Sequence, residues 1–348
     1  MPAPRVSKQI QSKNSLPVGP LERIWREATR PFRLRTWRKL AGISNPHPVR
    51  KKPIAQSPNA PAVEAWRLPF PSMVTRHEAS FFARCAASRV HQQGRIVDLG
   101  CWMGSTAVAL AHGVHEAGGT DRIFAVDIFL WSSWMNASHA KLVHGIYAPG
   151  ESFLPEARRI ARDHGFGLVD LVAADLTTFE WSQGPIKILL VDAMKSSALM
   201  KQIARSFFPS LQPDGILLHQ DFKHSFTSWI HILQYRLRRH FRFIESVPKA
   251  GTVGYEVLST PDVSEVVAAT EMDPVSNAEA DACFEYSLSL LPEAHHNEVA
   301  RAHITHYLRH NNQPEEADRV TALYAKRGID NPVMPVSPEP TATTARAA

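Results

Sequence analysis

Cysteine is scarce in this 348-residue sequence: Cys85, Cys101 and Cys283 are far apart and odd in number. A disulfide framework or a zinc cluster is therefore not expected. The sequence also lacks an uninterrupted apolar run of about 18 residues, which a membrane-spanning helix requires, and its start lacks an apolar stretch of the signal-peptide type. These absences predict a soluble, cytoplasmic protein.

Charge is distributed unevenly along the chain, although the net charge is only +6. Residues 1–60 contain 13 Lys or Arg and two acidic residues, whereas residues 259–348 contain 14 acidic and six basic residues. The basic segment could bind the acidic region, an anionic membrane or a nucleic acid, and its composition also resembles an organelle transit segment. A solvated, partly ordered extension is favoured over all of these, and no nucleic-acid partner is predicted.

Residues 1–72 are predicted to form a basic, proline-rich N-terminal extension and linker. Apolar residues between positions 21 and 40 follow helical spacing among many arginines, so this part could lie on a membrane, although packing against its own domain is favoured. Seven prolines between positions 46 and 71 predict an extended linker.

The most informative stretch is residues 95–110, RIVDLGCWMGSTAVAL. An apolar run containing Asp98 leads into Gly100, and a second glycine, Gly104, precedes helix-forming residues. This order predicts a buried strand, a tight turn and a helix whose amino end points at a ligand. A plain strand-to-helix turn without a ligand is the alternative.

A dinucleotide-binding turn begins in the same way but requires a middle glycine. Cys101 and Trp102 follow Gly100 here, so that glycine is missing and an NAD-dependent oxidoreductase is disfavoured. The remaining pattern, D-x-G-x-x-x-G-S-T, resembles motif I of the class I methyltransferases that depend on S-adenosylmethionine (SAM).

Acidic residues follow several other predicted strands. The predicted strands span residues 122–127, 168–173, 186–191 and 216–219. Asp127 ends the first of these strands, and Asp175, Asp192 and Asp221 follow the other three. Ligands of α/β sheets bind at the carboxyl ends of parallel strands, so these acids are expected to face one site. The two oxygens of Asp127 suit a ribose diol.

The alternation of strands and helices predicts a doubly wound α/β fold with seven mostly parallel strands. A capping box at Thr75 and Glu78 opens a helix before the first strand, and residues 241–258 form a closing hairpin. The domain is placed at residues 73–260, a helical appendage at 261–331 and a disordered tail at 332–348. The appendage is predicted to contain helices at 276–291, 296–310 and 314–328.

The sequence resembles the small-molecule O-methyltransferases near macrocin O-methyltransferase, in methyltransferase domain family 24. The resemblance covers about residues 73–258 and is carried by residues 74–106, Asp127, the helix after Asp192, and residues 213–222, PDGILLHQDF. It implies SAM as the cofactor. The implied cofactor-binding residues are Asp98 for the amino group, Gly100, Cys101, Gly104 and Ser105 in the methionine-side loop, Asp127 and Ile128 at the ribose, and Asp175 at the adenine.

The same resemblance implies a magnesium site at Asp192 and at a pair of acids after the fifth strand. The pair is Gln220-Asp221 here, so one charge is missing. Two carboxylates and an amide oxygen are chemically adequate ligands for Mg²⁺. Alternatively, Asp192 and Asp221 hold loops or bind the acceptor.

Methyl transfer to a hydroxyl needs a base, and His224 is the preferred candidate because it follows Asp221. Asp192 and Lys195 are the other predicted catalytic residues. Further nearby candidates are His219, Lys223, His139 and His144. A packing role is the alternative for each one, and the aromatic residues of loop 128–150 predict a lid or an acceptor pocket.

The predicted function is SAM-dependent methylation of a hydroxyl on a small molecule, such as a sugar or a secondary metabolite. The alternative is a catalytically silent methyltransferase-like scaffold, with the C-terminal helices as a surface for a protein partner.

Overall fold

The computed structural model describes residues 66–329. Most of the predicted extension (residues 1–72), including the segment at 21–40 considered for membrane contact, and the predicted tail (residues 332–348) lie outside the described residues. Helix α1, Arg76–Ala87, starts at the predicted capping box, in which Thr75 Oγ1 accepts the backbone N–H of Glu78 at 3.2 Å. In return, Glu78 Oε2 accepts the backbone N–H of Thr75 at 3.0 Å, and Glu78 Oε1 accepts a hydrogen bond of 2.6 Å from Thr252 Oγ1. Glu78 of the capping box therefore also connects α1 to Thr252, the residue before strand Val253–Val257.

The remaining elements of the α/β unit alternate as expected. They are β1 Arg95–Leu99, α2 Ser105–Glu116, β2 Ile123–Asp127, α3 Met135–Ser138, α4 Leu154–His164, β3 Val169–Ala173, β4 Ile186–Val191, α5 Ser197–Phe207, β5 Leu211–His219, α6 Ser228–Arg236, β6 Phe241–Ser246 and β7 Val253–Val257.

The seven strands form one sheet in the order β3-β2-β1-β4-β5-β7-β6. Strands β1 to β5 pair in parallel, and β7 is antiparallel to both of its neighbours. The doubly wound, mostly parallel fold predicted from the alternation is confirmed. The strand order reverses between β1 and β4, and a ligand crevice is expected at such a switch point.

The strand register aligns the carboxyl ends that matter for a ligand. Leu99 of β1 pairs with Val126 of β2 and with Val191 of β4, and Val191 pairs with His219 of β5. We call this side of the sheet the carboxyl edge. The residues that follow Leu99, Val126, Val191 and His219 therefore lie side by side.

Strand β5 differs from the predicted strand at residues 216–219, because it starts at Leu211 and includes Pro213-Asp214-Gly215, a combination typical of turns. Its register against β4 shifts between the pairs Ile186↔Leu211 and Ile188↔Ile216. The irregular pairing accommodates the proline and Asp214, whose φ is +60°. The turn-forming residues thus make a bulge inside the strand.

The C-terminal helices are present as an appendage, with one helix more than predicted. They are α7 Val263–Ala269, α8 Asn277–Leu290, α9 His296–Thr305 and α10 Pro314–Lys326, with one π-helical turn at His306–His310. The missed helix α7 has a capping box formed by Asp262 and Glu265. That pair was the sequence signal for it.

The appendage continues the hydrophobic core of the α/β unit. Leu233 of α6 and Phe284 of α8 belong to one buried cluster with Val299 of α9. Arg236 Nε of α6 also donates a 2.7 Å hydrogen bond to Glu279 Oε1 of α8. Among residues 66–329, no helix is long and apolar enough to cross a membrane.

Buried histidines lie where the appendage meets α6. His231 Nδ1 is 2.8 Å from Ser287 Oγ, and the ring of His303 stacks on Phe284 at 4.2 Å between centroids. Burial lowers the pKa of His231 to about 3 and that of His306 to about 4. These rings are therefore neutral in the folded protein at neutral pH.

We expect the contact between the C-terminal appendage and α6 to weaken in acid. Between the ordinary histidine pKa of about 6.5 and the lowered folded value, the unfolded chain binds protons that folded His231 does not. Stability is therefore lost as the pH falls, by up to about 1.4 kcal/mol per pH unit for this side chain. Melting temperatures measured at about pH 7 and about pH 5 should show a smaller acid-induced drop in His231→Asn than in the unmodified protein.

The exposed His115 supplies the control, because His115→Asn should retain the full drop. Titrating groups elsewhere are the same in all three proteins and cancel in the comparison. Equal drops in His231→Asn and His115→Asn would contradict a neutral, buried His231.

Candidate active site

The glycine turn after β1 contains two glycines with different roles. Gly100 has φ +81°, and a Cβ on it would lie 2.6 Å from the carbonyl oxygen of Asp192. Gly104 has φ +87°, and a Cβ on it would have no neighbour within 4 Å among the described residues. Gly100 therefore permits close contact with the β4 chain, whereas Gly104 leaves space at the amino end of α2.

Polar atoms without partners cluster in this turn. Asp98 Oδ1, Trp102 Nε1 and Ser105 Oγ are buried and make no hydrogen bond within the described part of the chain. The other oxygen of Asp98 accepts a 2.6 Å hydrogen bond from Thr106 Oγ1. An acceptor and two donors suit an ammonium and a carboxylate, so the turn fits the amino-acid end of SAM.

Burial also controls the charge of Asp98, which is fully buried. Burial raises the pKa of Asp98 to about 8, although the hydrogen bond from Thr106 opposes the rise. A ligand cation nearby would favour the ionised form. Thr106 fixes this carboxyl group, but the sequence analysis did not predict it as a site residue. Its position as the second residue of α2, directly after the glycine turn, was the sequence signal for this role.

Asp127 at the end of β2 supports the same turn. Its Oδ2 accepts the backbone N–H of Trp102 at 2.9 Å, and its Oδ1 accepts that of Phe129 at 2.8 Å. Burial raises the pKa of Asp127, and these backbone hydrogen bonds oppose the rise. Each carboxylate oxygen retains a second lone pair, so the group can still accept from ribose hydroxyls.

Two further predicted cofactor residues lie on the carboxyl edge. Ile128 follows Asp127 and is 50% exposed, which suits packing against a nucleoside. Asp175 is exposed, and its Oδ1 accepts the backbone N–H and the hydroxyl of Thr177. The adjoining Ala174 donates its N–H to the carbonyl of Asp127 at 2.9 Å, so the predicted adenine and ribose positions are neighbours.

We expect Asp127→Ala to weaken SAM binding by roughly 1–3 kcal/mol, because charged hydrogen bonds to the ribose and the support of the Trp102 backbone are both lost. Isothermal titration calorimetry with SAM measures this change. Asp170→Ala is the control, since Asp170 lies on the neighbouring strand and pairs with Arg122. Equal SAM affinity in the two variants would remove Asp127 from the ribose role.

The ends of β4 and β5 bring the predicted catalytic residues together. Lys195 Nζ lies 2.7 Å from Asp192 Oδ1 and 2.6 Å from each carboxylate oxygen of Asp221. The N–H of Gln220 donates to the carbonyl of Val191 at 3.0 Å, which holds the two strand ends side by side. The carboxylates and the ammonium thus form one compact ionic cluster.

His224 joins this cluster through Asp221. Its Nδ1 lies 3.0 Å from Asp221 Oδ1, and its side chain is 45% exposed. A carboxylate at Nδ1 favours the tautomer with the proton on Nδ1, which leaves Nε2 as a proton acceptor. Phe226, which is 43% exposed, lies 5.3 Å away between ring centroids.

The cluster separates the pKa values of its two carboxyl groups. Burial raises the pKa of Asp192 to about 7, against the opposing effect of Lys195. Burial would also raise that of Asp221, but Lys195 and His224 outweigh burial and lower the pKa to about 2. Burial would lower the pKa of Lys195, but the two carboxylates raise it. Asp221 and Lys195 are therefore charged at neutral pH.

The magnesium site predicted at Asp192, Gln220 and Asp221 does not fit this arrangement. The ammonium of Lys195 occupies the position between the two carboxylates, and Gln220 brings no charge. Among residues 66–329, no group of three His, Cys, Asp or Glu side chains could hold a metal ion. The sequence showed Lys195 beside Asp192, but not that its side chain reaches Asp221.

Two of the further candidate bases are also corrected. His219 is fully buried, and Lys223 is 3% exposed with its Nζ 2.8 Å from the carbonyl of Val247. Burial lowers the pKa of His219 to about 4 and that of Lys223 to about 8. Neither side chain is accessible to an acceptor, so both have packing or connecting roles.

Loop 128–150 combines a local core with exposed apolar side chains. Phe129 and Trp131 are buried and pack with Phe153, so they form a local core. Trp134 and Ile146 are 50% and 98% exposed. The buried side chains hold the loop, whereas a lid or acceptor role for the exposed ones stays a prediction.

A separate cavity of about 670 Å³ lies at the edge of the sheet opposite the carboxyl edge. Its lining includes Gly94, Arg95 and Asp121, which are near the amino ends of β1 and β2. The acids and glycines of the predicted site do not line it. The candidate active site is therefore the carboxyl edge and not this cavity.

The strand order, the glycine turn and the acidic strand ends are those of a class I methyltransferase fold. Residues 97–222 match the family model of a methyltransferase domain, family 24, so the resemblance inferred from the sequence is confirmed.

Solved structures show partial similarity. The O-methyltransferase NovP is 13% identical with a TM-score of 0.44, covering 54% of this chain and 82% of NovP. CalS11, a calicheamicin methyltransferase, is 14% identical with a TM-score of 0.39, covering 51% of this chain and 78% of CalS11. An rRNA methylase from Streptococcus thermophilus is 14% identical with a TM-score of 0.35, covering 54% of this chain and all of the methylase. No curated protein sequence matches the chain.

Proposed function

We propose that this protein is an O-methyltransferase that uses SAM to methylate a hydroxyl group of a small molecule, such as a sugar or a secondary metabolite. The observation that carries the proposal is the pair formed by Asp221 and His224, with 3.0 Å between Oδ1 and Nδ1, at the edge that also holds the glycine turn. An oriented imidazole with an available nitrogen is the group that a hydroxyl acceptor needs.

Bound SAM would supply a methyl group activated by its sulfonium. His224 Nε2 takes the proton of the acceptor hydroxyl, so that the oxygen becomes a better nucleophile. Asp221 keeps the imidazole oriented and stabilises the imidazolium that results. The rest of the catalytic effect comes from positioning, because an oriented acceptor avoids most of the entropic cost of a bimolecular reaction.

The cofactor end of the site has its own residues in this proposal. Asp98 and Ser105 hold the amino-acid part, with Cys101 and Gly104 lining the turn. Asp127 and Ile128 hold the ribose, and Asp175 lies at the adenine. Gly100 acts indirectly, since it lets the turn approach the backbone of Asp192.

Two measurements on the full chain test the proposal. Calorimetry should show SAM and S-adenosylhomocysteine binding at micromolar concentrations, and methyl-labelled SAM should transfer label to members of a panel of hydroxylated small molecules. Alkaline stability of the labelled product distinguishes an ether from a methyl ester. SAM binding without transfer to any hydroxyl, but with transfer to an amine or a carboxylate, would reject O-methylation, and absence of SAM binding would favour the scaffold alternative.

A further inference from the structure

We propose that the ammonium group of Lys195 is the built-in cation of this active site, in the position where related chemistry would use a divalent metal ion. The inference concerns the site of the proposed O-methyltransferase. It assigns Lys195 a positioning role: the lysine neutralises Asp192 and Asp221 and so holds the partner of His224 in place.

The geometry around the ammonium supports this role. Three carboxylate oxygens from two strand ends surround Nζ, at 2.7 Å from Asp192 Oδ1 and 2.6 Å from Asp221 Oδ1 and Oδ2. An ammonium has three N–H donors, so these oxygens account for its hydrogen-bonding capacity. The same oxygens are those that a metal at this site would require.

The backbone around Lys195 fixes the lysine in this position. Its N–H donates to the carbonyl of Ala193 at 2.8 Å, and Ser196 caps α5 through the N–H of Leu199. The carbonyl of Met194 accepts a 2.9 Å hydrogen bond from Trp229 Nε1. The side chain of Lys195 is 47% exposed, but the residues on both sides of it are anchored, which holds its ammonium at the two carboxylates.

Charge and space oppose a divalent ion while the lysine is present. Asp192 and Asp221 carry two negative charges at most, and the neutral Gln220 adds none. The side chain of Asp221 is 2% exposed, whereas Mg²⁺ retains several waters and near-octahedral geometry. A divalent ion would have to displace the ammonium from both carboxylates, so metal and Lys195 are mutually exclusive.

Metal binding measured without SAM tests this directly. Mn²⁺ is titrated into the full chain and detected by the electron paramagnetic resonance signal of the unbound ion. We expect no stoichiometric site in the unmodified protein. Lys195→Met, which keeps much of the side-chain volume but removes the charge, should gain one site and bind Mn²⁺ about tenfold more tightly or better, because two carboxylates and the Gln220 oxygen are released.

Controls separate this role from a general structural one. Lys195→Arg keeps the cation and should gain no site, and Lys195→Met combined with Asp221→Asn should lose the gained site. If the carboxylates repel each other and Lys195→Met melts early, its melting temperature should rise with Mn²⁺, whereas that of Lys195→Arg should not. A stoichiometric Mn²⁺ site in the unmodified protein that Asp221→Asn removes, or no gain in a folded Lys195→Met, would overturn the inference. Neither result depends on methyl transfer, so failure here is distinct from failure of the proposed function.

Discussion

Replacing His224 with glutamine is expected to lower kcat for methyl transfer by about 10²–10⁴-fold, the usual contribution of a general base. Glutamine retains a polar group near Asp221 but cannot take a proton. SAM affinity should change little, because His224 is placed at the acceptor side and contacts Asp221 rather than the glycine turn. Single-turnover rates with labelled SAM, together with calorimetry, separate these two effects.

The pH dependence adds a signature that a merely structural His224 would not give. A general base makes the rate fall as the pH falls and the base becomes protonated. This acidic limb should disappear or move in His224→Gln. His91→Gln is the matched control, since His91 is exposed at the amino end of the sheet, and its rate and pH profile should match those of the unmodified protein. A kcat of His224→Gln close to that of His91→Gln would place the base elsewhere.

The sequence predicted a ligand site at the carboxyl edge because the signals for that site are local in the sequence. Gly100 and Gly104 have turn-forming positions between an apolar run and a helix, and an acid after each parallel strand lies at the carboxyl edge once the strands alternate with helices. Alternation alone places Asp127 and Asp192 on the same side of the sheet. The observed order β3-β2-β1-β4-β5-β7-β6 agrees with this prediction.

Contacts between distant segments could not be predicted in this way. Lys195 and Asp221 are 26 residues apart, and their contact depends on how the ends of β4 and β5 pair. The role of Gly100 has the same origin, since the atom that requires glycine is the carbonyl oxygen of Asp192 on another strand. The sequence therefore indicated the glycine turn and the acids Asp192 and Asp221, but attributed Gly100 to the ligand and the two acids to a metal.

A pair of alanine substitutions in the glycine turn should separate folding from cofactor binding. Gly100→Ala places a methyl group 2.6 Å from the Asp192 carbonyl oxygen, where the backbone must move, and it also forces alanine into a left-handed conformation. The conformation alone costs about 1–2 kcal/mol, and the steric conflict adds to it. We expect a large drop in melting temperature or failure to fold.

Gly104→Ala bears the same conformational cost without the conflict, because its methyl group enters space in front of α2 that the described residues leave open. The protein should fold with a smaller loss of stability, while SAM affinity falls by about tenfold or more as the methyl group takes cofactor volume and moves the N–H groups of the helix end. Thermal melts and SAM calorimetry on both variants measure the two effects. Unchanged SAM affinity in Gly104→Ala would mean that the cofactor does not reach this turn. If Gly100→Ala were as stable as Gly104→Ala, the turn would not need its close approach to the chain after β4. The contrast is informative because both glycines have nearly the same φ, so only what each methyl group meets can distinguish the outcomes.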